Sequence, residues 1–283
     1  DRITYFTGAY PSACGKTSTA MVSGQTIVGD DIIYMRKGSD GSSYAVNIEK
    51  GIFGIITDVN PKDDPEIYKA LTTPREIIFS NVLVNNNEPY WTGMGKEIQN
   101  SGENFSGQWQ KENKDASGKI VPAAHKNARY CLSLDGLLNL DKSLDEPKGS
   151  YIQGIIYGGR DSDTSPPVYQ SIDFRHGTFI GACLESETTS ATIGKEGVRE
   201  INPMANLDFL TVPLGKYIVN HIKFFESLQS PPLIFSTNYF IKEDGKFLSE
   251  KNDKKVWLLW MEGRIHKEYD AIETPIGFIP KYE

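Results

Sequence analysis

The run Tyr5-Phe6-Thr7-Gly8-Ala9-Tyr10-Pro11-Ser12-Ala13-Cys14-Gly15-Lys16-Thr17 decides how the rest of the chain is read. Its opening, Ile3 to Phe6, is apolar and β-prone. A tight loop of small residues follows, and Gly15-Lys16-Thr17 opens a segment, Lys16 to Val22, with the composition of a short helix. Strand, loop and helix in that order make a phosphate cradle. Backbone N–H groups at the helix start point at the ligand, the lysine adds a full positive charge, and the threonine hydroxyl can hold a magnesium ion. The general phosphate-loop pattern wants glycine at the position of Tyr10, whereas this chain has Gly8 two residues earlier.

Downstream, Thr26 to Val28 reads as a second short strand that ends in Gly29-Asp30-Asp31. Adjacent carboxylates at a strand end beside a phosphate cradle suit a hard divalent cation, which takes oxygen ligands. The same pair also reads as a solvated turn.

The chain as a whole sets limits on partners. Its 283 residues are enough for one large domain or two small ones. A net charge of -7 argues against general nucleic-acid binding, which needs a basic surface. The three cysteines, Cys14, Cys131 and Cys183, are widely spaced and odd in number, so neither a disulfide framework nor a zinc site is expected, and the compartment expected is reducing and cytoplasmic. No apolar run approaches the ~20 residues that span a bilayer, no stretch reads as a signal peptide, and no membrane partner is expected. Starting without Met, one step from the strand that feeds the key loop, the sequence reads as a piece of a longer protein.

Elements can be placed along the remainder. Ile32 to Arg36 and Tyr44 to Ile48 flank a Gly-rich turn and predict a hairpin. Gly51 to Ile56 predicts a strand, and Asp63-Asp64-Pro65 predicts a capped helix over 65–71. Ile77 to Val84 is β-like and ends in the turn Asn85-Asn86-Asn87. Glu97 to Lys119 is poor in apolar residues and reads as a long surface loop anchored by Phe105 and Trp109. Gln153 to Tyr157 reads as a buried strand that ends in Gly158-Gly159-Arg160. Glu185 to Gly197 is small and polar, either a flexible lid or a surface loop. Leu214 to Leu228 is the best amphipathic helix, with Leu214, Ile218, Ile222 and Phe225 as core. Leu233 to Ser236 is β, Tyr239-Phe240 and Gly245-Lys246-Phe247 surround a hairpin-like turn, and Val256 to Met261 is expected to pack inside. Short strands interleaved with few helices predict a mixed α/β domain.

Pro11-Ser12-Ala13-Cys14-Gly15-Lys16-Thr17 followed by Gly29-Asp30-Asp31-Ile32 resembles the paired kinase motifs of GTP-dependent phosphoenolpyruvate carboxykinases. Four more stretches agree in order: His125-Lys126-Asn127-Ala128-Arg129-Tyr130-Cys131, Ile155-Ile156-Tyr157-Gly158-Gly159-Arg160, His176-Gly177-Thr178-Phe179-Ile180-Gly181-Ala182 and Thr274-Pro275-Ile276-Gly277. The resemblance covers essentially the whole chain and is to the GTP-using class; the ATP-using class has a Gly-richer loop with Thr where this chain has Ala13 and Cys14.

The resemblance implies an α/β fold, a mixed-sheet P-loop mononucleotide-binding domain. It implies one carboxy-terminal nucleotide-binding lobe over 1–283, with a phosphate loop at 8–17, a metal motif at 29–32, a candidate mobile lid at 182–197 and a guanine-pocket segment at 238–256. Its reaction is decarboxylation of oxaloacetate and phosphorylation of the resulting enolate by GTP, giving phosphoenolpyruvate and GDP, in gluconeogenesis or anaplerosis. Ser12, Ala13, Cys14, Gly15, Lys16, Thr17 and Ser18 would then cradle the nucleotide, with Lys16 bridging the β- and γ-phosphates and Thr17 on its magnesium ion (Mg2+). Asp31 would bind a second metal, usually manganese (Mn2+), and Asp30 would act through a metal-bound water. Arg129, beside Asn127, would straddle substrate and γ-phosphate, and Arg160 would contact the same phosphate. Without the resemblance the two arginines read as surface or ion-pair residues.

Further implications carry open points. Cys14 matches the reactive loop cysteine; beside a helix start and a lysine its thiol is expected to have a lowered pKa, although it also reads as a small buried residue. Phe240 and Phe247 match two aromatics of the guanine pocket. A third is absent from the shortened segment Leu248 to Asp253, and either Asn252 or Asp253 takes the place of the base-reading asparagine. Glu185 stands where relatives commonly have arginine. The family's amino-terminal lobe, with a lysine and a histidine that complete the second metal site, is expected upstream, so the isolated chain is expected to bind GTP but turn over poorly. Two other classes compete. A phosphotransferase acting on a serine of a small carrier protein needs the same loop but not Asn127 to Arg129, and a non-catalytic nucleotide-binding module needs the cradle without the carboxylates.

Overall fold

The computed structural model describes residues 2–187 and 201–281. Its contacts divide the chain into two compact units: Asp1–Thr19 with Ile33–Ile48 and Lys142–Glu283, and Ala20–Ile32 with Glu49–Asp141.

The first unit is built on an eight-stranded mixed sheet. Its centre is the strand Ser150–Gly158, flanked by Tyr5–Ala9 and Leu233–Thr237, both parallel to it. The near-continuous apolar run Ile152 to Tyr157 fits a strand covered on both faces. One face packs Ile152, Ile155, Tyr157 and Ile234 against Ile180 and Phe225 of the helices Phe174–Ala182 and Leu214–Ser227. The other packs Ile156 and Phe235 against Trp260 and Met261 of the helix Asp253–Ile265. Antiparallel strands extend the sheet both ways, and the expected hairpin appears as Ile33–Lys37 and Ser43–Asn47.

Two helices are less buried than their patterns suggested. In Leu214–Ser227 only Phe225 is fully buried, and Leu214, Ile218 and Ile222 are half-buried. In Asp253–Ile265, Trp260 and Met261 face the sheet while Val256 and Leu259 are exposed, because one apolar run of six spans more than a full turn and so covers both sides of a helix.

The second unit holds two antiparallel sheets. In one, Arg129–Ser133 lies between Gly51–Ile55 and Ile77–Ser80. The other contains Leu83–Asn85, Glu88–Tyr90, Ser101–Asn104 and Gly107–Gln110. The β-like run Ile77 to Val84 is therefore two strands, interrupted at Asn81 with φ 61°. The stretch read as a long loop is a hairpin, Ser101–Asn104 with Gly107–Gln110. Its polar side chains hid it; the burial rests on Trp109, whose Nε1–H donates to the Val121 carbonyl at 2.9 Å. Helix Pro65–Thr72 forms where expected, but the buried Asp64 makes no side-chain cap hydrogen bond. The second strand expected at 26–28 reduces to one bridge, Ile27 with Leu140. Among the described residues no helix is long and apolar enough to cross a membrane.

Candidate nucleotide-binding site

Parallel strands place their carboxyl ends together, and ligands of open α/β sheets bind there. In the first unit three chain segments leave that edge. Ala9 leads into the phosphate loop, Gly158 leads to Arg160, and Thr237 leads to Asn238, Tyr239 and Phe240, with Ala9 in register with Tyr157 and Gly158 with Thr237. The displaced glycine now has a cause. The ring of Tyr10 fills the space a β-carbon would need at both Gly8, 2.5 Å away, and Gly158, 1.8 Å away. Burial pushes the Tyr10 phenol up to about 12.

The loop itself is tightly bent. Ala13 has φ 57° and Gly15 has φ 97°, the first an uncommon conformation for a residue with a β-carbon. The Cys14 amide donates to the Pro11 carbonyl at 3.2 Å, and Thr19 N–H donates to Gly15 at 2.9 Å, opening a helix that runs Lys16–Ala20, shorter than its sequence suggested. Lys16, Thr17 and Ser18 are half-buried on its first turn.

Arg160 joins this loop to the aromatic cluster. Its Nη1 donates to the Ala13 carbonyl at 3.2 Å while the guanidinium lies 4.3 Å from the centre of the Phe240 ring. Phe240 stacks on Tyr239 at 4.4 Å and meets the edge of Phe247 at 6.3 Å. Phe247 is 53% exposed, an aromatic surface left open to a ligand, with Lys242 4.6 Å above its ring. Of the two candidate base readers, Asp253 accepts from the Glu250 amide at 2.9 Å, whereas Asn252 is exposed and makes no cap hydrogen bond.

Cys14 departs from expectation. It is 1% exposed, shares a 3.1 Å hydrogen bond with the Ser186 hydroxyl, and burial pushes its thiol up to about 11, against the smaller favourable effects of Ser186 and Arg160. The expected lowering fails because the cost of burying a thiolate exceeds what nearby positive charge returns. Ser186 sits at the start of the candidate lid. Ser186–Glu187 pairs with Ile201–Asn202, and Glu187 N–H donates to the Arg160 carbonyl at 2.8 Å. Glu185 is exposed, and the lid residues 188–197 lie outside the described residues.

The second unit carries the remaining candidates. Arg129, at the start of its central strand, donates from Nε to Asn127 Oδ1 at 3.0 Å and lies 5.1 Å from the exposed Phe53 ring. Asn127 is held in turn by its own amide, which donates to His125 Nδ1 at 3.0 Å. Asp30 is buried and Asp31 exposed. Burial, with the charges of Asp30 and Asp64, raises the Tyr130 phenol far above its usual range. Among the described residues no three His, Cys, Asp or Glu side chains converge into a metal cage.

The whole chain, residues 1–283, matches the family model described as phosphoenolpyruvate carboxykinase C-terminal P-loop domain. The chain belongs to that family. It is 57% identical over its full length to a Pyrococcus horikoshii protein named phosphoenolpyruvate carboxykinase (GTP), 46% identical over 99% of its length to one of that name from Saccharolobus solfataricus, and 36% identical over 98% to one from Anaeromyxobacter. It spans about half the length of these curated relatives, 46%, 45% and 47% respectively.

Three residues of this carboxykinase P-loop domain escaped the sequence reading. Tyr239 reaches from the aromatic stack to the loop, where its hydroxyl overlies Gly15; its place beside Phe240 was the available signal. Ser186 covers Cys14, a contact 172 positions apart that no local pattern reveals. Lys254 is buried although it sits in the charged run Lys251 to Lys255, whose composition signals a solvated surface.

Proposed function

We propose that the chain is the nucleotide-binding part of a GTP-dependent phosphoenolpyruvate carboxykinase, which decarboxylates oxaloacetate and phosphorylates the enolate with GTP to give phosphoenolpyruvate, GDP and carbon dioxide. The observation that carries this reading is the gathering of loop, Arg160 and the aromatic cluster at one sheet edge in a chain whose whole length matches the family.

Phosphoryl transfer depends mostly on positioning and charge neutralisation. Lys16 on the first turn after the loop bridges β- and γ-phosphate oxygens, while Phe240 and Phe247 take the base. Arg160 exchanges the Ala13 carbonyl for the γ-phosphate, which gives its guanidinium a charged acceptor in place of a neutral one. Arg129, fixed in direction by Asn127, meets the substrate. A bidentate guanidinium suits this better than a lysine, since its fork matches two oxygens at once.

The oxygen donors of Thr17 and Asp31 are of the kind that magnesium and manganese take, and each would hold its cation as a single protein ligand, with Asp30 acting through a metal-bound water. The bound cations would supply counter-charge to the phosphates and the enolate. The reading implies a cytoplasmic enzyme.

Nucleotide-dependent melting tests it. A ligand at 100 times its Kd stabilises by about 2.7 kcal/mol. GTP or GDP with magnesium should raise the melting temperature of the chain and should fail to do so with Lys16→Ala; no rise with any nucleoside triphosphate would overturn the reading.

A further inference from the structure

Lys254 is, among the described residues, the one lysine or arginine that is buried, at 6% exposed. Burying an ammonium is costly unless it is engaged, and Lys254 is engaged. It lies on the first turn of the helix Asp253–Ile265, directly after the shortened segment in which base-reading residues were sought. Its Nζ donates to the Ser18 hydroxyl and stands 5.7 Å from the ring of Tyr239, which stacks on Phe240. It thus reaches the aromatic cluster and the first turn of the phosphate-loop helix together. Neither expected base reader does this: Asp253 is occupied with the Glu250 amide and Asn252 faces solvent.

We propose that Lys254 selects the base, donating to the six-position oxygen of a guanine stacked on the aromatic cluster. The inference rests on the proposed nucleotide-binding reading. An ammonium only donates, through three N–H groups. Guanine presents O6 and N7 as acceptors, whereas adenine presents an N6 amino donor beside N7. A fixed buried donor therefore attracts guanine and opposes adenine, and discrimination comes from the repulsive pairing as much as the attractive one. Inosine nucleotides, which keep O6, share the preference.

Calorimetric titration of the chain with GDP, IDP and ADP in magnesium tests this. The expected result is that Lys254→Met lowers the ratio of GDP to ADP affinity at least tenfold, with IDP following GDP. Lys254→Gln, whose amide both donates and accepts, should keep most GDP affinity while ADP gains, a readout that holds if the methionine variant folds poorly. Equal losses for all three ligands in Lys254→Met would make the residue a strut between two helices and overturn the proposal, as would a wild-type chain that binds GDP and ADP equally. The underlying reading fails separately, by GDP binding that persists in Lys16→Ala.

Discussion

The hydroxyl of Tyr239 lies over Gly15 so closely that a β-carbon added at Gly15 would stand 1.6 Å from it. The same glycine has φ 97°, so a side chain there meets both a steric and a conformational penalty. Gly15→Ala should destabilise the chain by about 1–3 kcal/mol and abolish the melting rise with GDP. Gly215, inside the helix Leu214–Ser227, has nothing within 4 Å of its virtual β-carbon. Gly215→Ala should instead stabilise by about 0.5–1 kcal/mol. Comparing the two melting curves separates a conformational requirement from general intolerance to added volume.

The thiols should react in order of exposure. Cys131 is exposed and Cys14 buried beneath Ser186. At neutral pH a small alkylating reagent should modify Cys131 first, and Cys131→Ser should leave Cys14 unreactive for as long as the fold persists. Rapid labelling of Cys14 in that variant at pH 7 would contradict the burial.

A pH dependence follows from the same group. In the folded chain the Cys14 thiol holds its proton up to about 11, whereas an unfolded chain releases it near the ordinary value of about 8.5. Between those values the unfolded state binds fewer protons, so stability falls as pH rises through that window and is unaffected by this group below it. Tyr10, pushed up to about 12, adds a loss of the same sign at higher pH. Denaturant titrations at pH 8 and 10 should show the fall, and Cys14→Ala should flatten it.

The exposed face of Phe247 should report base binding. Phe247→Ala should weaken GDP binding by about 1–3 kcal/mol, as for aromatic stacking on bases elsewhere, and leave pyrophosphate binding unchanged. Phe240→Ala should cost more, since Phe240 also carries the Arg160 guanidinium. Equal losses of GDP and pyrophosphate in the Phe247 variant would make that residue a packing element only.

How far the sequence went depended on whether a signal was local. Strand, loop and helix around Gly15-Lys16-Thr17 were legible because apolar run, small residues and Lys-Thr lie within one short stretch. The hairpin around Trp109 was not, since its strands are polar on both faces and one indole does the burying. The burial that raises the Cys14 pKa was not legible because Lys16 is a neighbour in sequence while Ser186, which covers the thiol, is remote. Lys254 was overlooked for the same reason: Ser18 lies 236 positions away.

The central claim is that the loop ending in Lys16 binds the phosphates of a guanine nucleotide while Asp31 serves a metal at the acceptor. Calorimetric titration of GTP with magnesium into wild type, Lys16→Ala and Asp31→Asn tests it most directly. Binding should be lost in Lys16→Ala and remain within a few-fold of wild type in Asp31→Asn; equal losses in the two variants, or unimpaired binding without the lysine, would contradict it.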